Sequence, residues 1–419
     1  MRKKITYIIR HPFISGTAVV FGAGFVSNVI NYFFNLAMGR FLTKDEYGLM
    51  YSLMSLLGLF SVFSSTLSGV YTKYSAKYQA SGDDESISGM FWAGLKLQLI
   101  LGVILLIFIV VFSPLIGRFL HVDSNILVYL LGVYLFFSIL YTLPTAILQG
   151  QLRIFLFSLG TVLGPLVKLV LGVISVILGY SLYGVMGALI ASVFIPFLIF
   201  LGIFLSHFKN KNRSVSVKSF VNELKNYSLG FFLASFGFSF FTFADVLIIR
   251  HFVPEISGQY AALSIMGKAI FYFISPVYLV FFPVIAQKKE KKEKLLGTLL
   301  LACFVIMTAS VGISFIYFVF PKFVINVFFP KPEYQILVHY LGIYSLYIMI
   351  LSFASLFHFF FLSVGRTNIY KMIMLASTVL VFGLIFFHSS LYRVIGVLFF
   401  STFLLLACYV GYYFKYERD

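Results

Sequence analysis

The sequence predicts an all-α polytopic membrane protein, with twelve transmembrane helices in two six-helix, pseudo-symmetric lobes around a central cavity. Three observations predict it. Hydrophobic residues make up 61% of the 419 and charged residues only 11%, against about 25% charged in soluble domains. Apolar runs long enough to cross a hydrocarbon core of about 30 Å recur along the whole chain. Those runs also repeat at an offset of half the chain. Such a composition excludes a soluble enzyme, a disordered chain and a fibrous repeat. The longest polar stretch, from about His207 to Lys225, is too short for a separate soluble domain.

The spans are apolar runs bounded by polar or Gly/Pro turns. The first covers residues 13–39 and follows the basic Met1-Arg2-Lys3-Lys4. It runs too long for a signal peptide and lacks a small-residue cleavage site, so it reads as a retained helix. A polar turn containing Arg40 and Lys44 separates it from the second span, 47–74. Spans three to six are expected at 89–112, 123–147, 154–178 and 182–206. The second half repeats the order at 226–250, 258–286, 295–320, 333–361, 368–388 and 391–414. The expected organisation is an N-terminal lobe at 1–206, a cytoplasmic linker at 207–225 and a C-terminal lobe at 226–419. Pro144 and Pro276 are the expected hinges among the in-span prolines, which membranes tolerate where neighbours satisfy the freed carbonyls. Cys303 and Cys408 lie in apolar runs and read as small core residues.

The formal net charge is +17. Sorting the 31 Lys and Arg onto this topology puts 21 on one side and 7 on the other, with Lys96, Lys168 and Lys268 inside spans. Basic residues collect on the cytoplasmic side. Both termini are therefore expected in the cytoplasm, in a multi-pass protein of the cell membrane. The Lys288–Lys294 run reads as a topology anchor beside anionic lipid. No nucleic-acid partner is expected, because the 53 Phe and 27 Tyr lie in apolar runs and not on a basic face.

An internal repeat links the halves. Residues 125–134 (NILVYLLGVY) match 335–344 (QILVHYLGIY) at six of ten positions, with an offset of 210. At that offset Arg40 meets Arg250 and Gly48 meets Gly258. Residues 182–188 (LYGVMGA) match 391–397 (LYRVIGV) at four of seven, with an offset of 209. Six helices return a chain to its starting side. The halves then share one orientation, related by an axis along the membrane normal, as in many transporters.

The segment from Gly39 to Leu49 (GRFLTKDEYGL) resembles the turn that opens the second helix of polysaccharide-biosynthesis flippases. These are the lipid-linked oligosaccharide branch of the multidrug/oligosaccharidyl-lipid/polysaccharide exporter superfamily. The counterpart from Arg250 to Tyr260 resembles that family too. The resemblance implies an alternating-access transporter that flips polyprenyl-pyrophosphate-linked oligosaccharides across the cytoplasmic membrane. Its implied partners are membrane lipids and the glycosyltransferases and glycan polymerase of the same pathway, serving O-antigen, capsule or exopolysaccharide export. The lipid II flippases of the superfamily carry two further helices, for which this chain has no room.

An ionisable group at the bilayer centre costs about 2.5–3.5 kcal/mol on insertion scales, so each one needs a reason. Lys168 in the fifth span and Lys268 in the eighth are candidates for binding a pyrophosphate anion. Asn28, Asn31 and Asn35 share one face of the first span. They either pack helices together or bind glycan hydroxyls. Arg40 and Arg250 are candidate substrate-binding or gating residues at the outer mouth, or else helix caps. Asp245 is the one carboxylate well inside a span. It pairs with Arg40 or Arg250, or it couples transport to H⁺ or Na⁺. The histidines share no ligand spacing, and no metal, cofactor or catalytic residue is expected. Two other functions compete: a multidrug or cation antiporter of the same superfamily, and a membrane-embedded glycan polymerase. The short outside loops weigh against the polymerase.

Overall fold

A computed structural model describes residues 12–208 and 217–418. Met1–Lys4 and residues 209–216 of the expected linker lie outside the described residues; the rest of that linker, 207–208 and 217–225, is helical and extends the flanking spans. Among the described residues there are fourteen α-helices, three 3-10 turns and no strand. Twelve helices are long and apolar enough to cross a membrane. They are α1 (Pro12–Phe41), α2 (Lys44–Ala80), α3 (Asp84–Val111), α5 (Asn125–Gly150), α6 (Ile154–Ile177), α7 (Ser181–Phe208), α8 (Val217–Phe252), α9 (Ser257–Glu290), α10 (Leu296–Val319), α12 (Leu341–Ser363), α13 (Tyr370–Phe386) and α14 (Leu391–Arg418). The other two, α4 (Ser113–Leu120) and α11 (Pro321–Phe328), are short and follow the third span of each half.

Local chemistry sets the helix starts. Thr43 and Glu46 open α2 with a capping box. The Thr43 amide donates to Glu46 Oε2 at 2.9 Å and the Glu46 amide to Thr43 Oγ1 at 3.3 Å. This explains why α2 begins at Lys44, ahead of the apolar run expected from residue 47. Asp83 caps α3 by accepting from the Ser86 amide at 2.9 Å. The tenth span starts later than expected. Residues Pro332–His339 form a 3-10 turn with Tyr334 and Leu337 buried, and α12 follows from Leu341. Pro332 has no amide hydrogen to donate and sits at the start of that turn.

The chain folds as two compact units. One gathers residues up to Phe34, Phe60–Arg118 and Val122–Leu229. Its core packs Tyr71, Ile87, Phe91, Leu143, Ile147 and Phe200 from α2, α3, α5 and α7. The rings of Phe91 and Phe204 stack there at 5.1 Å. The other unit gathers Asn35–Leu59, Phe119–His121 and the chain from Gly230. The turn between the first two spans thus packs with second-half helices. The most enclosed span, α12, runs through this unit. It buries Tyr344, Tyr347, Leu351, Phe360 and Phe361. Apolar side chains such as Phe304 and Phe315 of α10 stay exposed, as a helix facing lipid requires.

Candidate functional site

Three clusters collect the polar residues singled out above. The first lies in the second unit, around the turn between α1 and α2. Arg40 donates from Nε to the Phe328 carbonyl at 3.4 Å and from Nη2 to the Val327 carbonyl. Both carbonyls are at the C-terminal end of α11, where a cation also meets the negative end of the helix dipole. Lys331 returns the contact by donating to the Leu42 carbonyl at the end of α1, at 2.7 Å. Arg250 makes the equivalent arrangement with α4. Its Nε donates to the Leu120 carbonyl at 2.8 Å and its Nη2 to the His121 carbonyl at 3.2 Å. His121 Nε2 in turn lies 2.9 Å from the His251 carbonyl, at the end of α8.

The rest of the quoted motif belongs to the same cluster. Leu42 and Tyr47 are buried. The Tyr47 ring lies 5.7 Å from that of Phe329, which lies 5.0 Å from that of Tyr334. A Cβ on Gly48 would collide with Ser257 and Gly258, and one on Gly258 with the Lys44 carbonyl. The two glycines let α2 and α9 approach at backbone distance. Burial, and then the Glu333 and Asp45 carboxylates, push the Tyr334 phenol above its ordinary pKa, so it stays neutral.

The second cluster is built on α2, α8, α9 and α12 of the same unit. Tyr260, Ser264 and Lys268 share one face of α9 at four-residue spacing. Asp245 of α8 is fully buried and Lys268 is 3% exposed. Lys268 Nζ lies 3.9 Å from Asp245 Oδ1 and donates to the Thr242 carbonyl at 2.7 Å. Asp245 Oδ2 accepts from the Tyr260 hydroxyl at 2.8 Å and from the Tyr344 hydroxyl at 3.3 Å. The Lys268 ammonium also sits 5.8 Å from the centre of the Tyr51 ring. Asp245 therefore pairs with Lys268, and neither Arg40 nor Arg250 is its partner. The reason is geometric. Both arginines are held at helix ends by carbonyls, whereas Lys268 projects from the adjacent helix at the depth of Asp245. Lys268 arrives with its charge already compensated.

The third cluster lies in the first unit. Lys168 of α6 is 8% exposed and donates to the Asn31 side-chain oxygen. Its ammonium sits 4.6 Å from the centre of the Phe34 ring, a cation–π contact. Asn31 Nδ2 donates to the Ser27 carbonyl at 3.0 Å, which turns its oxygen toward the lysine. Among the described residues no carboxylate pairs with Lys168. Gly160, Gly164 and Gly172 share its face of α6, where small residues let helices pack closely. The three asparagines divide between the units. Asn28 and Asn31 belong to the first, and Asn35, nearly buried, to the second.

Sequence reasoning missed the tyrosines around Asp245, because tyrosines inside apolar runs read as lipid contacts. The four-residue spacing of Tyr260, Ser264 and Lys268 was the available signal. No group of three or more metal-ligating side chains occurs among the described residues.

The sequence matches the family model described as a polysaccharide biosynthesis protein over residues 37–332. A comparison with curated proteins finds no match. The fold is similar to an inward-facing multidrug resistance MATE family transporter of the MOP superfamily. That likeness has a TM-score of 0.75 at 16% identity, covering 93% of this chain and 94% of the other. It is also similar to a MATE in complex with MaL6, at TM-score 0.71 and 16% identity, covering 96% and 95%. A third likeness is to an outward-facing multidrug resistance MATE family transporter of the MOP superfamily, at TM-score 0.69 and 16% identity, covering 98% and 97%.

Proposed function

Because the chain belongs to the polysaccharide biosynthesis protein family, we propose that it flips polyprenyl-pyrophosphate-linked oligosaccharide units across the cytoplasmic membrane by alternating access, for surface polysaccharide export. The twelve apolar helices among its described residues support a multi-pass membrane protein, and the fold it shares with transporters supports a transport role. Both termini lie in the cytoplasm in this reading, in line with the excess of Lys and Arg on that side.

The observation that carries the proposal is Lys168. A buried ammonium held by an amide and an aromatic face, with no carboxylate beside it, keeps its full attraction for an anion. Two unit charges 4 Å apart attract by about 4 kcal/mol at an effective dielectric of 20. A pyrophosphate is the anion that the substrate class supplies, and Asn31, which accepts from Lys168 and donates to the Ser27 carbonyl, holds the ammonium in place for it.

Lys268 and Asp245 divide a second role. The ammonium stands beside the carboxylate where a coupling H⁺ or Na⁺ would bind. In this reading H⁺ or Na⁺ takes the place of the ammonium on Asp245 and leaves Lys268 to the substrate anion. Coupling through this pair exchanges one partner for the other without burying an unpaired charge.

The test is reconstitution of the purified protein in liposomes with a fluorescent polyprenyl-pyrophosphate oligosaccharide, following its exposure to a membrane-impermeant quencher. Transbilayer movement in wild type and its loss in Lys168→Ala are expected. Equal movement in protein-free liposomes, or full activity in Lys168→Ala, overturns the reading. The second reading, a multidrug or cation antiporter, is favoured by the likeness to multidrug transporters. A deletion strain with raised drug susceptibility and normal surface glycan would establish it instead.

A further inference from the structure

A groove of about 390 Å³ opens between α13 and α14 in the second unit. Val379 and Gly383 line it from α13, Phe387 from the residue that ends that helix, and Val397 and Phe400 from α14. Its lining is apolar apart from Arg393 at one end and Ser401, whose hydroxyl donates to the Val397 carbonyl at 2.6 Å. Arg393 lies in the first turn of α14, and its Nη1 donates to Ser389 Oγ at 2.9 Å in the polar connection between the helices. That is the one side-chain bond the guanidinium makes among the described residues, and no carboxylate pairs with it. Tyr392, half exposed beside it, meets Tyr340 at a tilt of 50°, with ring centres 4.6 Å apart. Tyrosine, arginine and serine side by side mark the headgroup level of a bilayer.

The groove descends from that level along α14 to Ser401, eight residues below Arg393. Eight residues of helix span about 12 Å, most of one leaflet of a hydrocarbon core about 30 Å thick. Phe400 on its wall is largely exposed. An apolar cleft of this kind does not hold water, and it lacks the convergent polar groups that a small polar ligand needs. What matches is a molecule with an anion at the headgroup level and a hydrocarbon chain below it. Gly396 also lines the groove, and a Cβ there meets nothing within 4 Å, so this position is open space within the packed pair.

We propose that this groove binds a single anionic phospholipid, its phosphate on the Arg393 guanidinium and one acyl chain laid between α13 and α14. The charge selects the headgroup. A zwitterionic phosphocholine carries its own cation into the neighbourhood of Arg393, whereas phosphatidylglycerol does not. The site is independent of what the protein transports.

The test uses the full-length protein purified in detergent, with native mass spectrometry of lipids retained after brief exposure to equimolar phosphatidylglycerol and phosphatidylcholine. Wild type is expected to retain one phosphatidylglycerol at several times the level of phosphatidylcholine. Arg393→Gln is expected to equalise the two, and Gly396→Phe, which fills the open space, to lose the retained lipid of either kind. Thermal unfolding of both variants checks that they fold. Equal retention of the two lipids by wild type overturns the proposal, as does an unchanged preference in either folded variant. A third arm adds undecaprenyl phosphate. Its displacement of phosphatidylglycerol from wild type but not from Gly396→Phe would reassign the groove to a polyprenyl chain and also overturn the proposal.

Discussion

Arg40 and Arg250 stand 210 residues apart at equivalent places in the two halves, and each caps the short helix of the opposite half. Arg40 holds the last carbonyls of α11, and Arg250 those at the end of α4. The contacts are reciprocal, since Lys331 and His121 reach back to the ends of α1 and α8. Four helix C-termini, which otherwise present unpaired carbonyls, are thus closed by cationic or imidazole side chains from the other half. The repeat seen in the sequence is a repeat of this interaction.

Loss of either arginine therefore has a defined cost. Arg250→Ala leaves the buried Leu120 carbonyl and the partly buried His121 carbonyl without their donor, which costs about 1–3 kcal/mol. Arg40 is exposed, so water replaces much of what it provides, and Arg40→Ala should cost under about 1 kcal/mol. Thermal unfolding in detergent measures both, and Arg250→Lys should recover only part of the loss because it cannot serve two carbonyls in a fork. An equal shift for Arg40→Ala and Arg250→Ala would refute the role of burial.

The Gly48–Gly258 approach makes a second prediction. The obstacle to a Cβ at Gly258 is the Lys44 main-chain carbonyl, which cannot rotate away. Gly258→Ala forces α2 and α9 apart, and overpacking of this kind costs about 1–3 kcal/mol. Gly396→Ala, with open space around it, is the control and should leave the unfolding temperature unchanged or raised. If the two variants behave alike, the backbone contact is not what keeps the glycine.

Much of this was legible in the residues. Apolar length alone locates twelve spans, and Arg40, Gly48, Arg250 and Gly258 stand out as paired positions by their shared offset of 210. The short helices α4 and α11 were not legible. Eight residues make too brief an apolar run for a span, and their amphipathic pattern reads as loop. The partner of Asp245 was not legible either. Several cations were within reach along the chain, and only the packing of α8 on α9 brings Lys268 beside it while the carbonyls of α4 and α11 occupy the arginines. Proximity across helices is a tertiary fact that a single sequence carries weakly.

Lys168 and Lys268, equal candidates by sequence, are distinguished by their neighbours. Lys168→Ala removes a charge with no partner carboxylate, so it should leave stability within about 1 kcal/mol while abolishing transport, since the cost of keeping the charge buried disappears with it. Lys168→Arg keeps the charge and should retain part of the activity. Surface-glycan staining in a complemented deletion strain, with protein level measured in parallel, reads both. Normal glycan in Lys168→Ala at normal protein level removes this residue from the anion site.

Lys268 should behave in the opposite way. Lys268→Met leaves the Asp245 carboxylate buried with two tyrosine donors and no countercharge, and Asp245→Asn leaves the Lys268 ammonium buried with only a carbonyl. Breaking a buried pair from one side costs about 3–5 kcal/mol, so each single variant should unfold at markedly lower temperature. The double variant Lys268→Met/Asp245→Asn removes both charges, and most of the loss should return, because an asparagine still accepts from Tyr260 and Tyr344. A coupling energy of about 1 kcal/mol or more in that cycle marks a genuine pair. The same double variant then separates structure from mechanism. If the pair exchanges H⁺ or Na⁺ for the ammonium during each turnover, the repaired protein folds but does not transport. If it transports at the wild-type rate, the pair serves packing alone and coupling resides elsewhere.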